Sequence, residues 1–359
     1  MKVALLGNSE SIHCVRWANG LTRRGIDVVM ISAHTGVDGF DPAVDLRLLS
    51  ATTPFGYITG ARQLRNILIE TKPDILNSHY ATGYGLLSRL AAFHPTMLSV
   101  WGSDVYDFPK KSPLHSWILR RNIEAADAIG STSECMARET IRFSAAKRIY
   151  VTPFGVDTQI FYPRPKPSEL QESFVIGTVK SLSRKYGIDT LIKAFALVWH
   201  EIGCSMDLRL EIGGGGEDLE SLQQLCESLG VANQVRFHGQ VSHSKVPSLI
   251  NRMDIFVALS RLDSESFGVA AVEASACGRP VIVSNAHGLA EVTVDEVTGI
   301  IVGKEDFCSA ASAMRRLIED GDLRRRMGDA GKIRVLKKYS WDISLDMMIE
   351  TYRSVLNNK

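Results

Sequence analysis

Glu265 and Glu273 lie in the stretch Arg261–Ser284, RLDSESFGVAAVEASACGRPVIVS. Glu265 falls in a polar loop. A helix of small residues is expected from about Phe267 to Cys277, with Glu273 inside it. Ala270, Ala271, Val272, Ala274, Ser275 and Ala276 surround Glu273 and let other backbone come close. A carboxylate in that setting needs a partner if it is buried. Between the two acids, the backbone N–H groups of Ser266, Phe267, Gly268 and Val269 form the expected helix N-terminus. Such an end attracts phosphate through its dipole and its unmatched donors. A capped helix with one exposed Glu is the plainer reading of this segment taken alone.

The apolar run Asp254–Leu259, DIFVAL, predicts a buried strand before the loop. Gly278 stands where a helix C-cap belongs, Pro280 stops the helix, and Pro280–Ser284 is the next strand. In open α/β sheets a loop between strand and helix sits at the ligand-binding edge. A second cluster, Lys180, Arg184 and Lys185, follows the predicted strand Phe174–Val179 and precedes a helix from Asp189 to Trp199. Three cations so close together are, by themselves, a surface loop. Leu208–Ile212 leads into the four-glycine turn Gly213–Gly216, which signals tight backbone. Val235–Phe237 leads into His238, Gly239 and Gln240, where the His reads as structural.

The first half opens with a strand at Val3–Gly7, a helix from about Ser11 to Arg24, and a strand at Asp27–Ser32. That is a nucleotide-fold beginning. Asn8, Ser9 and Glu10 follow Gly7, so the G-x-G-x-x-G of dinucleotide dehydrogenases is missing. His79 ends the predicted strand Asp74–Tyr80. Thr96–Val100 runs into the turn Trp101-Gly102-Ser103-Asp104. His79 and this turn, at strand carboxyl ends, are candidates for ligand contacts, although a lone His is more often structural. Ser112–Ala126 is amphipathic, with Trp117, Arg120 and Arg121, and Lys110 and Lys111 precede it. The first reading packs Trp117 on the core. The alternative is a membrane-surface helix. The Pro-rich run 163–167 reads as a linker.

A chain of 359 residues implies two domains. A net charge of +1 argues against wholesale nucleic-acid binding. Up to Arg164 there are 18 Lys+Arg and 14 Asp+Glu, giving +4, and the remainder has 23 and 26, giving −3. A mildly basic first half is compatible with anionic lipid. Cys14, Cys135, Cys204, Cys226, Cys277 and Cys308 show no C-x-x-C spacing, which argues against zinc or a disulfide framework and suits a reducing compartment. The start reads as a first strand and not as a signal peptide. No run has the length of a membrane span.

Glu265-SFGVAAV-Glu273, with ASACGRPVI after it, resembles the Glu-x7-Glu segment of the retaining glycosyltransferases of family 4. The resemblance extends over nearly the whole chain. It includes Lys180 and Lys185 before Gly187, the Gly213 and Gly239 turns, the segment Pro153–Asp157, and the Thr298-Gly299 strand start. It implies an α/β GT-B fold of two Rossmann-like parallel-sheet domains with an inter-domain cleft. Residues 1–165 would bind acceptor and 166–340 the nucleotide sugar, with helix 341–357 crossing back to the first domain.

The resemblance also implies roles for the residues. Lys180 and Lys185 would hold the diphosphate, although the family usually has Arg at the first of these positions. Glu265 would meet the donor sugar and Glu273 the ribose. Gly7, Gly213, Gly239 and Gln240, with Ser266, Phe267, Gly268 and Val269, would line the donor site. His79 and Asp104 would stand near the reaction. Many family members have a His where this chain has Trp101.

The expected activity is retaining, metal-independent transfer from a nucleoside-diphosphate sugar, UDP-sugar favoured. The expected acceptor is a glycan or lipid-linked precursor of a surface polysaccharide. The nucleotide sugar is a co-substrate, and no cofactor is expected. The expected place is the cytoplasm, with peripheral contact at the inner membrane face. A nucleotide-sugar epimerase or phosphorylase, and a non-catalytic sugar-binding module, stay open as alternatives.

Overall fold

A computed structural model describes residues 1–50, 56–143, 147–203 and 205–357. It divides into two compact units, Met1–Phe154 with Ser344–Lys359, and Gly155–Ile343.

In the first unit the strands are β1 (Lys2–Leu6), β2 (Asp27–Ser32), β3 (Asp45–Leu48), β4 (Ile75–His79), β5 (Thr96–Val100), β6 (Ala128–Ser131) and β7 (Arg148–Val151). They pair in parallel in the order β3-β2-β1-β4-β5-β6-β7. The central strands β4 and β5 are buried along their whole length. A parallel strand covered on both faces is mostly apolar without alternation, and β4 departs from this by burying Asn77, Ser78 and His79. One face packs Leu6, Ile31, Leu64, Leu76 and Leu87. The same face continues over β5 and β6, where Leu98 and Ile129 pack with Val105, Leu119, Ile123 and Met136. Each such side chain contributes about 1.5–3 kcal/mol by leaving water. The last stretch of helix Trp341–Asn357 belongs to this unit, and the Asn77 amide donates to the buried Tyr352 hydroxyl at 2.7 Å.

The second unit contains β8 (Ser173–Val179), β9 (Asp207–Gly213), β10 (Val235–Phe237), β11 (Ile255–Ala258), β12 (Val281–Ser284) and β13 (Gly299–Val302). Their order is β10-β9-β8-β11-β12-β13, again parallel. Helix Ile188–Ile202 packs Leu191, Ile192 and Phe195 into a core shared with Ala310, Met314 and Leu317 of helix Phe307–Glu319. In both sheets the strand order reverses beside the first strand, between β1 and β4 and between β8 and β11. Loops leaving those carboxyl ends diverge to opposite faces of the sheet and leave a crevice, where such folds bind ligands.

Three sequence expectations change. The Pro-rich run is no free linker. The Arg164 N–H donates to Asn251 Oδ1 at 2.8 Å, and Lys166 Nζ donates to the Ser173 carbonyl at 2.7 Å. Trp117 does not pack on the core. It is 54% exposed, beside Leu114 at 61%, and helix Pro113–Ala125 buries Leu119, Asn122 and Ile123 instead. The small-residue helix spans Val269–Ala276, shorter than expected at both ends. Cys14, Cys135, Cys226, Cys277 and Cys308 are free thiols, and Cys204 lies outside the described residues.

Candidate active site

The second unit concentrates the charged chemistry at the carboxyl ends of β8 and β11. Lys180 follows β8 directly, and its ammonium donates to Glu265 Oε2 at 2.7 Å. Both groups are largely buried. Burial pulls the Lys180 pKa down, but the Glu265 carboxylate and the Tyr186 side chain outweigh it and hold it above the ordinary lysine range. Lys180 is therefore an ammonium. It sits 4.7 Å from the Tyr186 ring centre, and the Lys185 ammonium lies 5.4 Å from the same ring. Tyr186 is thus a shared face for two cations. Sequence reasoning passed over it, although it stands between Lys185 and Gly187.

The loop that carries Glu265 is held from below. Phe267 is buried and meets the Tyr339 ring edge-on at 5.6 Å. Gly268 caps the helix with φ +76°, a conformation that costs glycine little. This left-handed residue starts the helix two positions later than its sequence implies. The N–H groups of Ala271 and Val272 already donate to the Gly268 carbonyl, so the helix opens on Val269 and Ala270. Ser266, Phe267 and Gly268 precede it as loop. Glu273 is 5% exposed, and its partner is His243, whose Nε2 lies 3.3 Å from Oε1. His243 stands on the turn after β10, so no local pattern ties it to Glu273.

The four-glycine turn backs the Lys180 loop. The Lys180 N–H donates to the Gly213 carbonyl at 2.9 Å, and the Gly214 N–H to the Gly239 carbonyl at 2.8 Å. A Cβ on Gly214 would stand 1.8 Å from the Lys180 carbonyl oxygen, so only glycine fits. Gln240 is exposed next to this turn. His238 is placed 3.4 Å from the buried Glu211 carboxylate, which Arg252 grips with two bonds of 2.7 Å. Burial raises the Glu211 pKa, and the bonds from Arg252 and His238 outweigh it and bring it to about 2.

The first unit places its candidates around β1, β4 and β5. A Cβ on Gly7 would press within 2.8 Å of Cys14 Sγ and 3.3 Å of His79 Cβ. His79 is 2% exposed, and among the described residues neither ring nitrogen has a hydrogen-bond partner. Burial pushes its pKa down to about 3, so the ring is neutral. The Trp101 ring meets His79 edge-on at 5.3 Å, and it meets Phe154 and His13 at 5.3 and 5.7 Å. Asp104 is fully buried. It accepts from the N–H groups of Ala81 at 2.9 Å, Gly102 at 2.8 Å and Trp101 at 3.1 Å. It clasps the Trp101 turn onto the end of β4.

Residues 163–334 match the family model described as glycosyl transferases group 1, and residues 2–133 match glycosyl transferase 4-like. An uncharacterized glycosyltransferase of Methanocaldococcus jannaschii is 33% identical over 96% of this chain and 93% of its own. The chain belongs to the family 4 glycosyltransferases. A GDP-mannose-dependent alpha-(1-6)-phosphatidylinositol monomannoside mannosyltransferase of Mycobacterium tuberculosis is 32% identical to this glycosyltransferase over 71% of the chain and 68% of its own. Sucrose-phosphate synthase from Thermosynechococcus elongatus superposes over 100% of both chains with TM-score 0.84 at 19% identity. An Anabaena protein solved with UDP and glucose covers 99% of this chain and 100% of its own with TM-score 0.81 at 19% identity. These neighbours share the GT-B fold with this glycosyltransferase. Among its described residues no cluster of three or more His, Cys, Asp or Glu could hold a metal ion, and no helix is long and apolar enough to cross a membrane.

Proposed function

We propose that this enzyme is a retaining, metal-independent hexosyltransferase that draws on a nucleoside-diphosphate sugar. The carrying observation is the Lys180–Glu265 pair beside Lys185, at the point where the second sheet reverses its strand order. Residues 166–340 bind the donor and 1–165 the acceptor. Lys180, Lys185 and the N–H groups opening helix Val269–Ala276 take up charge on the diphosphate as it leaves. Groups fixed in place before the reaction do this without reorganising. Glu265 orients the sugar, and Glu273 holds the ribose. The bond from C1 to the diphosphate oxygen breaks, the acceptor hydroxyl oxygen bonds to C1, and its proton passes to the leaving diphosphate. Retention by front-face attack rests on family resemblance. His79 and the Asp104-clasped turn form the acceptor side, Asp104 by positioning.

Uracil is the base that the family resemblance favours, and guanine is the base named for the mannosyltransferase relative. The acceptor is a glycan or lipid-linked sugar of a surface polysaccharide, consistent with that relative's phosphatidylinositol monomannoside. Contact with the inner membrane face is supported by exposed Leu114 and Trp117 beside Lys110, Lys111, Arg120 and Arg121, all exposed.

Thermal protection by UDP-glucose, UDP-galactose, UDP-N-acetylglucosamine and GDP-mannose tests the donor. A true donor at a hundred times its dissociation constant should add about 2.7 kcal/mol. Turnover with that donor should survive excess chelator and keep the anomeric configuration. No protection by any of the four, or activity restored only by manganese or magnesium, overturns the reading.

A further inference from the structure

Arg261 lies three residues beyond the end of β11 at Ala258, and its bonds run mostly to the other loop. Its backbone N–H donates to the Lys185 carbonyl at 2.8 Å. Its Nη1 donates to the Arg184 carbonyl at 2.7 Å. Its Nη2 donates to Asp189 Oδ2 at 2.7 Å and to Thr190 Oγ1 at 3.2 Å. The guanidinium is largely shielded from water. One residue therefore grips the carbonyls on both sides of the Lys185 Cα and the first turn of the following helix.

The two loops meet at two further places. The Lys180–Glu265 bond joins them at one end. At the other, Gly187 takes φ +63° and leaves no room for a Cβ, which would stand 2.1 Å from the Leu259 carbonyl oxygen. Between these anchors Lys185 sits on a short 3-10 turn, Arg184–Tyr186. A turn of that kind has little rigidity of its own. The bonds from Arg261 add to the turn's own Tyr186–Ser183 bond in holding the backbone that carries Lys185.

We infer that Arg261 is the positioning residue for Lys185, setting where its ammonium meets the donor's diphosphate. The inference rests on the donor-site reading above. Lysine at position 261 could not reproduce this arrangement, because the fork of a guanidinium reaches two acceptors at once while an ammonium is a point charge.

Calorimetry with UDP and UMP, and with GDP and GMP, tests this on the full chain. Arg261→Met should weaken binding of the diphosphate by about tenfold. It should leave the monophosphate within roughly twofold. Arg261→Lys should fall between Arg261→Met and the parent. In a Lys185→Ala background, Arg261→Met should add little further loss, since residues acting through one another are not additive. Should Arg261→Met fail to fold, Asp189→Asn removes the charged acceptor and keeps the Arg184 bond. It should then show the same diphosphate-selective loss in smaller degree. Equal loss for mono- and diphosphate, full additivity with Lys185→Ala, or no loss at all overturns the inference. If Lys185→Ala itself leaves both diphosphates bound as before, the donor-site reading fails first and takes this inference with it.

Discussion

Glu265→Gln is the most informative single perturbation, because it changes one charge in the Lys180 contact and almost no volume. Lys180 is shielded from water, and its ammonium is 2.7 Å from Glu265 Oε2. Removing one partner of a buried pair outright costs about 3–5 kcal/mol. Glutamine keeps a carbonyl oxygen to accept the bond, so the cost falls to that of one hydrogen bond to a charged group, about 1.5–3 kcal/mol. A domain of this size loses roughly 2–4 °C for each kcal/mol, so the melting temperature should fall by about 3–12 °C.

The pH dependence has a definite sign. In the parent the Lys180 pKa is raised by Glu265 against the pull of burial. Its stabilisation is complete below the ordinary lysine value near 10.4 and is lost as pH rises through the folded value. In the variant the Glu265 charge no longer opposes burial, and the Lys180 pKa falls relative to the parent. The stability gap between the two proteins should thus be widest at neutral pH and narrow above about pH 10. Thermal melts from pH 7 to 11 measure this, and a turnover assay with the identified donor measures the chemistry. Turnover should drop far more than affinity for the free nucleoside diphosphate. An unchanged melting temperature, or a gap that does not vary with pH, refutes the reasoning about the pair.

Glu273→Gln should instead weaken the nucleoside diphosphate itself by about 1.5–3 kcal/mol, roughly 10- to 150-fold, as measured by calorimetry; unaltered affinity removes its ribose role. His79 is held neutral with a pKa near 3, so the unfolded chain gains a proton below about pH 6.5 that the folded chain refuses, and stability should fall by up to about 1.4 kcal/mol per pH unit toward pH 3. His79→Phe should flatten that acid limb in denaturant titrations, and parallel curves for the two proteins would contradict it. Changing Lys110, Lys111, Arg120 and Arg121 together to Glu should reduce sedimentation with anionic vesicles and leave donor binding intact; equal sedimentation would remove the membrane contact.

The sequence alone carried the strand-loop-helix units, because continuous apolar runs bounded by Gly and Pro leave few other options. β2, β5 and β6 fall where those runs place them. The Glu-x7-Glu segment and the two lysines were legible for the same local reason. β3, only four residues long, and the amphipathic helices Gly56–Thr71 and Leu219–Ser228 were not picked out, since no long continuous apolar run marks them. The helix start at Val269 was misjudged because a left-handed glycine looks like any other glycine in sequence.

What the tertiary structure decided is who meets whom. Lys180 and Glu265 looked like holders of two different groups, and folding makes them partners across 85 positions. The bland-looking His243 becomes the neighbour of Glu273. Asp104, which the resemblance places near the reaction, accepts from three backbone N–H groups. Trp117, marked as core, faces water. Hydrophobic spacing is a local property that one strand or helix can express by itself. The pairing of charges depends on which strand ends lie side by side, and that is settled only when the sheets assemble and exclude water from between the loops.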